Sequence, residues 1–182
     1  MRIIAGHYRG IPLTPIGKGD TAAHLRPTSD RVREALFSII TSRRELEGAR
    51  VLDLFAGTGA LGLEALSRGA SHATFVDTGR KSQNLIRANI AKLNVKAQAT
   101  LISADTARIP VAETPCDLVF LDPPYGKDLG ANALAQAQAQ GWIAPTALVV
   151  WEETSTQSAP GFTECATRRY GDTTITLLEP TL

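Results

Sequence analysis

Two kinds of apolar run alternate along the chain. Short unbroken ones stand at Val51–Phe55 (with Asp53 inside), Ala73–Val76, Thr100–Ile102, Leu118–Leu121 and Ala147–Trp151, the pattern of strands covered on both faces. Between them apolar positions recur at three- and four-residue steps, as in Leu85, Ile86, Ala88, Ile90 and Leu93, which predicts helices over 60–68, 80–93 and 129–139. Strand and helix in alternation predict a doubly wound α/β sheet. The last two runs, Phe162–Tyr170 and Thr173–Leu178, are separated only by Gly171-Asp172. That leaves no room for a crossover helix, so they must pair as an antiparallel hairpin. The expected sheet has seven strands, mostly parallel, with one reversed.

Ahead of this alternation, Ile3-Ile4 and Ile11–Leu13 flank a polar stretch and predict a small hairpin whose loop carries Tyr8 and Arg9 outward. A polar, glycine-containing loop from Ile16 to Asp20 follows. Thr28, Ser29 or Asp30 can then cap a helix whose buried stripe is Val32, Ala35, Leu36, Ile39 and Ile40. Arg31 and Arg33 fall outside that stripe, free to face a ligand or water. The expected organisation is a hairpin-and-loop extension over 1–24 and one α/β domain over 25–182.

The first strand runs straight into Gly57, Gly59 and Gly62. Glycines there permit backbone angles closed to other residues and let a ligand approach the main chain, facing the N–H groups of the next helix. Asp77 ends the second strand, where a carboxylate can take both hydroxyls of a ribose. The same spacing satisfies a dinucleotide fingerprint, which keeps NAD or FAD open. Asp53 favours a different ligand. An acid at the end of a buried strand is awkward beside a pyrophosphate but suits the amino group and sulfonium of S-adenosylmethionine.

Charge is uneven. The first fifty residues carry nine basic and five acidic side chains, and the remainder ten basic and thirteen acidic, which fits a basic face for a polyanion and an acidic pocket for a cation. Tyr8 and Arg9 on an exposed loop suit unpaired nucleotides, by stacking and phosphate contact. Cys116 and Cys165 have no partner spacing and the three histidines are scattered, so the expectation is packing cysteines, no disulfide framework and no metal site. No stretch approaches the ~20 apolar residues of a membrane helix, and the N-terminus lacks the apolar core of a signal peptide. A cytoplasmic protein is expected.

Asp122-Pro123-Pro124-Tyr125 follows the fourth strand, at the carboxyl edge where open α/β sheets bind ligands. Two prolines fix the backbone and remove two N–H donors, leaving carbonyl acceptors. Acceptors are what an exocyclic amino group needs, and Tyr125 offers a face for stacking. Asp53-x-Phe55-x-Gly57-x-Gly59, Asp77, Ala104-Asp105 and Asp122–Tyr125 together resemble the motifs of class I S-adenosylmethionine-dependent methyltransferases that modify amino groups. The opening Met1–Gly6, Leu25–Thr28, Asp30–Glu34 and Leu52–Leu66 are similar, more narrowly, to the bacterial 16S ribosomal RNA guanine-N2 methyltransferase D family.

That resemblance implies a Rossmann-like class I methyltransferase fold and methyl transfer from S-adenosylmethionine to the 2-amino group of a guanosine in 16S rRNA. The substrate would be that RNA or the small ribosomal subunit, met by a monomer. It implies that Asp53, Gly57 and Gly59 line the methionine end, that Asp77 holds the ribose, and that Ala104 and Asp105 hold the adenine edge. Arg26 and Thr28 would close over the cofactor carboxylate. Asp122 and the Pro123 carbonyl would receive the target amine while Tyr125 stacks on the guanine; Tyr8, Arg9, Arg31 and Arg33 would contact RNA. Relatives often carry Glu where this chain has Asp77. Asp-Pro-Pro-Tyr is shared with adenine-N6 methyltransferases and does not choose the base. An NAD-dependent oxidoreductase and a non-catalytic RNA-binding factor are the alternatives from other classes.

Overall fold

The computed structural model describes residues 1–17, 29–125 and 127–181. After the N-terminal hairpin come α1 (Asp30–Arg43), β1 (Arg50–Leu54), α2 (Ala60–Ser67), β2 (His72–Val76), α3 (Arg80–Leu93) and β3 (Ala99–Ile102). Then follow β4 (Cys116–Leu121), α4 (Leu129–Ala139), β5 (Ile143–Glu153), β6 (Phe162–Tyr170) and β7 (Thr173–Pro180). The seven strands lie in the order β3-β2-β1-β4-β5-β7-β6. β1 pairs in parallel with β2 and β4, and β4 with β5, whereas β7 is antiparallel to both β5 and β6. The single reversed strand is therefore β7, as the two-residue turn requires.

The chain winds from β1 outward through β2 and β3, then returns to the other side of β1 to lay down β4 and β5. This reversal opens a crevice beyond the carboxyl ends of β1 and β4. Register places the motifs around it: Leu54 pairs with Val76 and Leu121, and Leu121 with Trp151. Asp77, Asp122 and Glu152 each stand one residue past those paired positions, along one edge.

Strand residues alternate between two apolar layers. Val51, Phe75, Phe120, Leu148, Val150 and Ile175 face α1, α2 and α3, and Leu52, Leu54, Val119, Leu121, Val149 and Trp151 face α4. The closeness of α4 depends on Gly130, because a Cβ there would lie 2.2 Å from the Trp151 ring.

Helix α1 is capped by Ser29, whose Oγ accepts from the Val32 N–H at 3.3 Å. Its buried residues are Arg33, Leu36, Phe37 and Ile40, while Val32, Ala35 and Ile39 are half-buried. The stripe is thus rotated by one residue from the expected one, because Phe37, packed 5.7 Å from the Phe120 ring, is the larger apolar group. Rotation carries Arg33 inward to full burial. Its Nη2 donates to the Arg2 carbonyl at 2.6 Å and to Asp30 at 2.7 Å. Burial pulls the guanidinium pKa down, against the attraction of Glu64 and Asp30. The expectation that Arg33 faces RNA is therefore corrected: it is an internal residue.

The hairpin is bridged at Arg2 and Pro12 and roots Ile3 and Leu13 in the core. It docks on α2 through a buried carboxylate. Glu64 accepts from the Ile4 N–H at 2.8 Å, the Ala5 N–H at 3.0 Å and Arg68 Nε at 2.8 Å. Further along, the His7 N–H donates to the Ser67 carbonyl and the Tyr8 N–H to Ser67 Oγ. Gly6 has φ +82°, and a Cβ there would sit 1.8 Å from the Ser67 carbonyl, so only glycine lets the two segments meet. Arg9 is exposed as expected. Tyr8 is not fully outward: it is half-buried, edge-on to His7 with ring centres 4.8 Å apart.

Candidate active site

β1 ends at Leu54 and the chain reverses through Phe55, Ala56, Gly57, Thr58 and Gly59 into α2. Phe55, Gly57 and Gly59 all adopt positive φ, at 58°, 58° and 76°. Such angles cost a bulky residue like Phe55 about 1–3 kcal/mol and concentrate where a loop serves a ligand. At Gly59 a side chain would also press on Phe75, 3.2 Å from its ring. This cradle, shaped for backbone rather than side chains, is what a closely approaching ligand needs.

Two acids hold the cradle. Asp77 lies just past β2, and its oxygens accept from the Gly57 N–H at 2.9 Å and the Gly79 N–H at 2.7 Å. Those bonds aim the half-buried carboxylate along the sheet edge, and its lone pairs exceed the two donors. Asp53 lies beneath the loop, 2 % exposed, with Oδ2 accepting from the Gly62 N–H at 3.0 Å. Burial raises its pKa to about 8, the Gly62 bond opposes the shift and the charge of Asp77 adds to it. A buried acid so short of positive charge fits a cationic ligand and does not fit a pyrophosphate.

On the far side of the cradle, past β3, Ala104 is half-buried and Asp105 exposed. Asp105 Oδ1 accepts from the Ala107 N–H at 2.9 Å, capping the 3₁₀ turn Thr106–Arg108. Across the crevice the Asp122 N–H reaches the Leu54 carbonyl at 3.5 Å, so the Asp-Pro-Pro-Tyr turn leaves the sheet beside the glycine loop. Asp122, Pro124 and Tyr125 are half-buried and Pro123 is buried. The Tyr125 hydroxyl donates to Glu152 Oε1 at 3.1 Å and lies 3.4 Å from Thr173 Oγ1. Desolvation pushes its pKa up to about 12, so it stays a donor across the working pH range.

The structure thus gathers Asp53, Gly57, Gly59, Asp77, Ala104, Asp105, Asp122, Pro123 and Tyr125 along one sheet edge. Arg9 and Arg31 are exposed. Arg26 and Thr28, like most of the polar loop ahead of them, lie outside the described residues. Two residues escape sequence reasoning. Nothing in its type marks Phe55 for a left-handed backbone. Glu152 carries the same signal as Asp77 and Asp122, an acid directly after an apolar run, but no motif accompanies it: only Glu153 and Thr154 follow. Among the described residues no three His, Cys, Asp or Glu side chains are gathered as metal ligands, and no helix is long and apolar enough to cross a membrane.

Known proteins resemble this chain in sequence and in fold. Residues 1–179 match the model of a family described as conserved hypothetical protein 95. The chain is 40 % identical over 154 residues to ribosomal RNA small subunit methyltransferase D of Escherichia coli strain K12, covering 84 % of this chain and 74 % of the relative. The protein of that name from Haemophilus influenzae is 36 % identical over 156 residues, covering 84 % and 78 %. Among solved structures, the yhhF methyltransferase of Escherichia coli superposes with a TM-score of 0.84 at 33 % identity, covering 99 % of this chain and 97 % of that one. The fold is that of a class I methyltransferase.

Proposed function

We propose, from the premise that this chain belongs to the ribosomal RNA small subunit methyltransferase D family, that it methylates the 2-amino group of a guanosine in 16S rRNA using S-adenosylmethionine. The observation that carries the reading is the juxtaposition of the glycine cradle with the Asp-Pro-Pro-Tyr turn at adjacent strand ends, tied by the contact of Asp122 with Leu54. S-adenosylmethionine supplies, when bound, an electrophilic methyl group on a sulfonium. Asp53 would offset that positive charge, Gly57 and Gly59 would line the methionine end, and Asp77 would take the ribose hydroxyls. Ala104 and Asp105 would flank the adenine.

The lone pair of guanine's 2-amino group is delocalised into the ring, so the protein must orient it. Asp122 and the Pro123 carbonyl accept its hydrogens and stabilise charge developing on nitrogen, while Tyr125, anchored through its hydroxyl, presents its ring to the base. Holding the two reactants in line contributes up to ~7–11 kcal/mol. Exposed Arg9 and Arg31, with half-buried Tyr8, would contact RNA, so that the 1–24 extension, through Tyr8 and Arg9, and the 25–182 methyltransferase domain, through Arg31, would share the RNA. Labelled methyl transfer to unmethylated 16S rRNA and to small subunits, followed by nucleoside analysis, tests the reading. Label in N2-methylguanosine is expected; label in N6-methyladenosine would keep the fold and overturn the base assignment.

The buried acid gives this reading a pH signature. Because the Asp53 pKa is raised in the folded protein, its contribution to stability is full below the ordinary carboxylate range and is lost as pH rises through about 8. A cationic cofactor binds the ionised form and so displaces a proton below that pH. Affinity for S-adenosylmethionine should rise by up to about tenfold per unit from pH 6 to 8 and level off above. Calorimetric titration in two buffers of different ionisation enthalpy measures both the affinity and the proton; a flat profile with no proton released would remove Asp53 from the cofactor site.

A further inference from the structure

Asp-Pro-Pro-Tyr recognises an amine, and both guanine and adenine carry one, so a second group must choose the purine. We propose that Glu152 makes this choice by accepting a hydrogen bond from the guanine N1–H. The inference rests on the guanine-N2 reading above. Glu152, the last but one residue of β5, stands on the face that carries Val150, and Val150 pairs with Phe120, one step before Asp122 on that face. Two carboxylates therefore stand side by side at neighbouring strand ends. Tyr125 spans them, leaving the sheet with Asp122 and returning its hydroxyl to Glu152 Oε1 at 3.1 Å. Glu152 is 8 % exposed, dry enough for hydrogen bonds to discriminate, and the two oxygens of a carboxylate carry about four lone-pair sites, so a partnered one still accepts a ligand N–H.

The neighbouring acid stands on the opposite face of the strand, where Glu153 Oε1 turns back to the Thr154 N–H at 2.9 Å and the Thr154 hydroxyl at 3.3 Å. The match of Glu152 to guanine is one of pattern. Guanine offers a donor at N1 to a carboxylate, beside the 2-amino group that Asp122 and Pro123 would take. Adenine sets an acceptor at N1, so its lone pair would oppose the carboxylate.

2-Aminopurine separates the two roles, because it keeps the 2-amino group but carries an acceptor at N1. In RNA with 2-aminopurine at the guanosine that the wild-type protein methylates, kcat/KM should fall at least about tenfold, the worth of one hydrogen bond to a charged group. Glu152→Gln offers an N–H that the N1 acceptor of 2-aminopurine can take, and should narrow or invert that ratio. Tyr125→Phe removes the tyrosine tie but not the carboxylate, and should lower turnover while keeping the preference for guanine. An unchanged ratio in Glu152→Gln, or no discrimination by the wild type, overturns the assignment and leaves Glu152 as a support for Tyr125. If the wild type forms no N2-methylguanosine, the guanine-N2 reading itself has failed, which the same nucleoside analysis reports separately.

Discussion

Replacing Asp122 by alanine should lower kcat for methyl transfer by about 10²–10³-fold, the usual loss when one preorganised polar group at a reacting centre is removed, with S-adenosylmethionine affinity essentially unchanged. The separation follows from position. Asp122 follows β4, which ends at Leu121, while the candidate cofactor cradle is built from the ends of β1 and β2 and the loop over Gly57 and Gly59. The fixed backbone of Pro123 and Pro124 keeps the turn in place when the carboxylate is lost. Asp122→Asn is the sharper variant, because its carbonyl still accepts from an amine but carries no charge. Retained turnover in Asn would assign Asp122 to orientation, and a loss equal to that of Ala would assign it to its charge. Full turnover in Asp122→Ala would remove the Asp-Pro-Pro-Tyr turn from the acceptor site. Single-turnover transfer and calorimetric cofactor titration on the same preparations decide among these.

The second large effect concerns stability. Glu64→Ala should destabilise the fold by roughly 3–5 kcal/mol, the cost of breaking a buried ion pair from one side. Glu64 is fully buried, holds two backbone N–H groups of the hairpin and Arg68, and attracts the buried Arg33. Its removal orphans two donors and leaves two guanidinium groups with less countercharge. Against a total of about 5–15 kcal/mol for a typical domain, the change should be plain in the urea midpoint. The Ile4 and Ala5 amides should lose hydrogen-exchange protection first. A loss below about 1 kcal/mol, the range of an exposed pair, with those amides still protected, would show that the hairpin docks without the carboxylate.

Much of this architecture is legible in the chain because strands buried on both faces leave unbroken apolar runs, and because Gly171-Asp172 is too short for any connection but a hairpin. The site is legible for a related reason. An acid directly after such a run has no core role, so Asp77 and Asp122 declare themselves. Glu152 follows its run just as directly, but it lacks the glycine turn that marks Asp77 and the Pro-Pro-Tyr that marks Asp122, and with Glu153 it reads as the start of a polar stretch. Arg33 misleads in the opposite direction. The steps 32-35-36-39 and 33-36-37-40 are equally helical, and only the volume of Phe37 and the carboxylates of Asp30 and Glu64 decide which stripe turns inward. A buried arginine is intelligible once its partners are in place, but two of them, the Arg2 carbonyl and Glu64, come from other parts of the chain.

The return of the chain to lay β4 against β1 has a consequence for how the molecule is made. Val51 meets Leu118 only after the whole β2–β3 half has been synthesised between them, whereas β1, α2, β2, α3 and β3 join neighbours in sequence. Closing the longer loop adds entropic cost, about 0.6 kcal/mol for each doubling of length, and non-local pairing of this kind slows folding. The half proposed to hold the cofactor can therefore assemble from local contacts, while the proposed acceptor edge exists only once the central ladder has zipped. On the proposed reading, protection by S-adenosylmethionine during refolding should precede the recovery of transfer, so that a grip on the donor would come before any action on an RNA.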